Sequence, residues 1–131
     1  MPQAGKSVRL DHVGLWARDL EALRAFYCRW FGAASGPKYV NAAKGFESYF
    51  LAFPGGGNLE IMRQAGRGEA AAESHFALCP GSVEAVDELA ARLRAGGVQV
   101  LDGPRRTGDG FYECAVLDLE GNRVEITASG A

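Results

Sequence analysis

At 131 residues, 47% hydrophobic and 10% aromatic, the chain suffices for one compact domain, or for two small half-domains sharing a core. A formal net charge of -2, with Lys and Arg scattered rather than massed, excludes the basic footprint of a nucleic-acid binder and leaves a small molecule or another protein as partner. No run approaches the roughly 20 apolar residues of a membrane span, and the opening MPQAGKSVRLDH has no signal-peptide apolar region.

The three cysteines, Cys28, Cys79 and Cys114, form no CxxC pair and sit within apolar runs. They predict buried free thiols in a reducing, cytoplasmic setting.

In chain order, VRLDHVGLWA at 8–17 alternates as a strand does. Asp19 then caps a helix whose Leu20, Leu23, Phe26, Tyr27, Trp30 and Phe31 form one apolar stripe, stopped by Gly32. Three strands follow, at 38–41, 47–53 and 58–64, the last two joined by the turn PGGG at 54–57. PGGG lacks the lysine and following helix of a phosphate loop. Residues 64–73, QAGRGEAAAE, have the small and charged composition of a linker.

The second half begins with SHFALCP at 74–80. Its helix is capped by Ser82, striped by Val83, Val86, Leu89, Ala90 and Leu93, and ended by Gly96 and Gly97. Strands at 98–101, 111–117 and 122–128 complete it. Both halves, 7–64 and 74–128, therefore have the order β-α-β-β-β. The fold class is α+β, two such modules making a single domain.

Each half carries a histidine in its first strand and a glutamate in its last. His12 and Glu60 are 48 residues apart; His75 and Glu125 are 50 apart. Strand alternation turns their apolar neighbours toward the helices and all four polar residues to the other face. Taken singly, a strand histidine is usually hydrogen-bonded structure and a strand glutamate solvent-facing. Matched pairs at matched spacing point instead to a metal or catalytic site. Two imidazole nitrogens and two carboxylate oxygens suit one divalent ion, Zn, Ni, Co, Mn or Fe, with positions left for water or substrate.

DHVGLWARDLEALRAFYCRWFG, SHFAL and VLDLEGNRVEIT together resemble the vicinal oxygen chelate superfamily of glyoxalase I, bleomycin-resistance proteins and extradiol dioxygenases. The resemblance covers nearly the whole chain. It implies paired βαβββ modules with curved mixed sheets around a metal cleft, and a homodimer in which sites are built from two subunits. His12, Glu60, His75 and Glu125 match, position by position, the His-Glu-His-Glu ligands of glyoxalase I-like members. The implied activity is that of a metal-dependent lyase or isomerase. The ion makes the C–H beside a carbonyl acidic and stabilises the enediolate, while Glu60 or Glu125 acts as base. Glyoxalase I does this to the hemithioacetal of glutathione and methylglyoxal.

Trp16 and Gln64 stand where glyoxalase I proteins usually place the Arg and Asn that hold glutathione, and an indole offers no charged fork to a carboxylate. The alternatives on the same scaffold are an extradiol-type dioxygenase, an epimerase, or a non-catalytic protein that binds a drug or metabolite.

Trp16 and Met62 share the His12 and Glu60 face by alternation and are candidate substrate contacts. Tyr49, Phe50 and Tyr112 are further pocket candidates, although strand aromatics usually serve the core. Arg105, with Arg106, lies in GPRRTGDGFYE at 103–113, read as a Gly-containing loop able to close over an anionic substrate, or more plainly as a solvated hairpin loop.

Overall fold

The structure, a computed structural model, describes residues 10–67, 75–107 and 110–129. The chain divides into two compact units, Met1–Ala70 and Ala71–Ala131.

The first unit runs β1 (His12–Trp16), α1 (Leu20–Phe31), β2 (Ala34–Ser35), β3 (Tyr39–Asn41), a 3-10 turn (Ala42–Lys44), β4 (Phe46–Ala52) and β5 (Asn58–Gln64). Its sheet has the order β1-β5-β4-β2, with β3 also on β4. β1 pairs with β5 in parallel and the other pairings are antiparallel. Helix α1 forms where expected. The Asp19 carboxylate accepts from the Ala22 N–H at 3.0 Å, satisfying one of the orphan donors at its start. Gly32 closes it at φ 67°, in the left-handed region that glycine enters without strain.

Leu20, Leu23, Phe26 and Tyr27 of α1 are buried, with Tyr49, Leu51, Leu59 and Ile61 of β4 and β5 completing the core of this unit. Trp30 and Phe31, expected in the same stripe, are only half-buried. Tyr49 also donates from its hydroxyl to Glu21 at 2.9 Å, and Lys38 Nζ reaches Glu21 at 3.0 Å and Glu47 at 3.3 Å. This polar clasp fastens α1 across the sheet edge.

The second unit runs β6 (His75–Leu78), α2 (Val83–Ala95), β7 (Val100–Arg106), β8 (Phe111–Leu117) and β9 (Arg123–Ser129), with sheet order β6-β9-β8-β7. β6 is parallel to β9 and the remaining pairs are antiparallel. Ser82 caps α2, accepting from the Ala85 N–H at 3.1 Å. Val86, Leu89, Ala90 and Leu93 pack against Cys114, Val116, Val124 and Ile126, all buried. Truncating one such leucine to alanine costs about 2–5 kcal/mol. The architecture is thus α+β, two mixed sheets each carrying one helix.

Three expectations need correction. β7 extends through Arg106 rather than ending at Leu101, so Arg105 and Arg106 lie in a strand, not in a loop. The pairing with β8 shifts register on either side of Asp102, and the strand resumes beyond this irregularity. Gly103, at φ 80°, makes that possible, because a Cβ there would lie 2.5 Å from the Glu113 carbonyl oxygen. The Gly-Pro pair that resembles a strand end is a bulge. Second, the thiols are not uniformly buried: Cys114 is, Cys28 is half-buried and Cys79 is exposed at the end of β6. Third, the β1 strand expected from residue 8 begins at His12 among the described residues, and most of the linker read at 64–73, with Ser74, lies outside them.

Candidate metal centre

In the first unit the parallel register sets His12 opposite Asn58, Gly14 opposite Glu60 and Trp16 opposite Met62. All six therefore share one face, opposite the face packed on α1. His12 Nε2 lies 3.6 Å from Glu60 Oε1. The other ring nitrogen, Nδ1, bonds to Asp11 Oδ2 at 2.9 Å, which orients the ring and leaves Nε2 for a ligand. Phe50, opposite Glu60 on β4 and 45% exposed, meets the His12 ring edge to face at 5.2 Å. Gly14 keeps the space beside Glu60 clear; a Cβ there would already meet Met62 Cε at 3.0 Å.

The second unit repeats this geometry. His75 lies opposite Arg123 and Ala77 opposite Glu125, so the histidine again faces the residue two places before the glutamate. His75 Nε2 is 3.6 Å from Glu125 Oε1. The side chains of Glu60 and Glu125 are 20% and 17% exposed, against 38% and 51% for His12 and His75. In each half a partly sheltered carboxylate stands beside a more open imidazole.

The donor set fits a divalent ion. Two ligands about 2.1 Å from one ion at a tetrahedral angle lie about 3.4 Å apart, close to the 3.6 Å found in both halves. Each half supplies two donors. Among the described residues no group of three or more His, Cys, Asp or Glu side chains is placed to hold an ion by itself. One further polar atom on the second sheet has no partner: Thr127 Oγ1, two residues beyond Glu125 on the same face, is buried without a hydrogen bond among the described residues.

The other sequence candidates separate. Trp16 lies on the His12 face, with Arg67 Cζ 3.6 Å from its ring centroid and Phe46 packed edge-on at 6.2 Å. Met62 is beside it, against Gly14. Arg105 is opposite Glu113, and through it on the Thr127 side of the sheet. It bonds Asp102 at 3.0 Å and lies two strands from Glu125 rather than against the His–Glu pair. Tyr49 is turned to α1 through Glu21, and Tyr112 to α2 through its hydroxyl bond to Asp87, so neither serves the His–Glu faces. Sequence reasoning missed Asp11 and Arg123, whose Nε and Nη2 reach Glu125 Oε2 at 3.4 and 3.3 Å. A carboxylate directly before His12 was a visible signal for the first.

No helix among the described residues is long and apolar enough to cross a membrane. Compared with curated protein sequences, the chain has no significant match. Among solved structures it is similar to a glyoxylase/bleomycin resistance protein/dioxygenase domain from Frankia sp. EAN1pec, with TM-score 0.83 and 18% identity over 95% of this chain and 99% of that one. It is similar to the trypanothione-dependent glyoxalase I of Leishmania major, with TM-score 0.74 and 23% identity over 92% and 86% of the two chains. A fosfomycin resistance protein from Listeria monocytogenes is also similar, with TM-score 0.72 and 22% identity over 92% and 91%. At these identities the likeness speaks for the fold. Residues 9–126 match the model of one family, and the chain belongs to the Glyoxalase/Bleomycin resistance protein/Dioxygenase superfamily.

Proposed function

We propose that the protein is a metal-dependent lyase or isomerase of glyoxalase type, acting on a small carbonyl compound. The observation that supports it most is the repeated His–Glu pair: same strand pairing, same register offset and same 3.6 Å separation in both halves. A binder without chemistry has no need of two such pairs. Together His12, Glu60, His75 and Glu125 make a four-ligand set for one Zn, Ni, Co, Mn or Fe ion, the pairs combining within a chain or between the subunits of a homodimer. A bound ion would supply Lewis-acid polarisation of the substrate carbonyl. One glutamate takes the proton from the carbon beside the carbonyl and returns it to the neighbouring carbon, giving the isomerised product. His12, steered by Asp11, holds its nitrogen in place throughout. Phe50, Met62 and Trp16 line the same face and exclude water from the apolar part of the substrate.

The test is conversion of methylglyoxal, with and without glutathione, by protein loaded in turn with each of the five metals. Nuclear magnetic resonance in deuterated water would detect exchange at the reacting carbon. Turnover with at least one metal is expected, falling about 10²–10⁴-fold when the base is replaced by Gln. Trp16, in place of a glutathione-holding arginine, predicts that glutathione confers little advantage. Oxygen consumption under Fe(II) without isomerisation would instead identify a dioxygenase. Silence under every metal would leave a binding protein.

A further inference from the structure

The duplicated halves contain their own control. Asn58 and Arg123 occupy equivalent places, each opposite the histidine and two residues before the glutamate. They act on different members of the pair. Asn58 Nδ2 donates to the backbone carbonyl of Asp11 at 3.3 Å, and the Asp11 carboxylate holds His12. The first half thus braces its histidine, and among the described residues Glu60 is in contact with no charged group but His12. In the second half Arg123 places both Nε and Nη2 on Glu125 Oε2, while Glu125 Oε1 faces His75. There it is the glutamate that is braced.

We infer that Arg123 is a positioning residue that fixes Glu125 as a one-oxygen metal ligand, so that the two glutamates are unequal: Glu125 is held by a guanidinium, and Glu60, among the described residues, is not. With Oε2 engaged by two guanidinium nitrogens, Glu125 presents only Oε1, and rotating away means breaking two charge-assisted contacts. Among the described residues Glu60 has no guanidinium contact to break when it swings. The sheltering of Glu125, 17% exposed, makes the pair more than a wholly solvated surface bridge.

The inference rests on the metal-binding reading above, and its test keeps the two apart. Zn²⁺ would be titrated calorimetrically, against a competing chelator, into the metal-free full chain. The variants are Arg123→Asn, which installs the residue of the first half, Arg123→Lys, Glu125→Gln and Glu60→Gln, and the two double variants of Arg123→Asn with each glutamine. Arg123→Asn is expected to weaken Zn²⁺ about 10–100-fold. That loss should largely vanish in the Glu125→Gln background and persist in the Glu60→Gln background, the signature of a direct coupling. Arg123→Lys, keeping charge without the fork, should lose less; should the Asn variant not fold, the Lys variant carries the same comparison. An Arg123→Asn affinity equal to wild type, or a loss of the same size in both glutamine backgrounds, would overturn the inference while leaving metal binding standing. A wild-type chain that binds none of Zn²⁺, Ni²⁺, Co²⁺, Mn²⁺ and Fe²⁺ in the same titration would overturn both.

Discussion

At the scale of single residues, the account turns on polar side chains placed where a strand would ordinarily be solvent-facing. Asp11 illustrates how a neighbour sets a side chain's direction: its carboxylate takes the Nδ1 side of His12, so Nε2 is the nitrogen that points at Glu60. Replacing Asp11 by Ala should lower metal affinity about 10–100-fold without changing the melting temperature of the metal-free protein, which competition titration and calorimetric melting would show. The nearness of His12 to Glu60 and of His75 to Glu125 was legible from alternation and matched spacing. Asp11 and Arg123 were not read, because their part depends on the reach of a flexible side chain, which spacing does not encode. The thiols show the same limit. Burial pushes the Cys114 thiol up to about 11, so it should resist a maleimide reagent in the native protein, whereas Cys79, exposed, should be labelled. Mass spectrometry would identify the sites, and labelling of Cys114 before Cys79 would contradict the burial described.

At the scale of elements, caps and stripes carried the sequence reading of α1 and α2. Asp19, Gly32 and Ser82 terminate helices for local reasons visible in the chain. Ser82→Ala should cost about 1 kcal/mol, measurable by denaturant unfolding with an unchanged slope. The reading failed at β7, where Gly103 and Pro104 have the composition of a turn but sit in a bulge against β8. A bulge is decided by the partner strand, and no local pattern reveals it. The clasp on α1 also has a pH signature. Hydrogen bonds from Lys38 and then Tyr49 hold the Glu21 carboxyl below its ordinary value of 4.5. The folded state therefore favours the carboxylate, and this contribution is present above about pH 4.5 and lost as pH falls through the lowered folded value. Glu21 is 57% exposed, so the effect is small. Thermal melts of wild type and Glu21→Gln should differ at pH 7 and converge toward pH 3; a constant difference would place the stabilisation elsewhere.

At the scale of the molecule, the duplication is deeper than element order. The parallel strand pairs β1–β5 and β6–β9 repeat the same offset between histidine and glutamate, and the family match extends over 9–126, both halves together. The order of elements was legible because each half repeats one periodic pattern, except for the two-residue β2, Ala34–Ser35, which is too short to show alternation. The strand pairings were not, since β5 returns beside β1, and β9 beside β6, only through long-range contacts. Each half offers two donors, and the lyase proposed above requires both pairs to serve one ion. Elemental analysis of purified protein, counting divalent metal per chain in wild type, His12→Ala and His75→Ala, tests it most directly. About one ion per chain is expected in the wild type and its loss in either variant, since in the proposed site each removes one of four ligands. Two ions per chain, or a variant that keeps half of the wild-type metal, would show that the pairs act separately and contradict it.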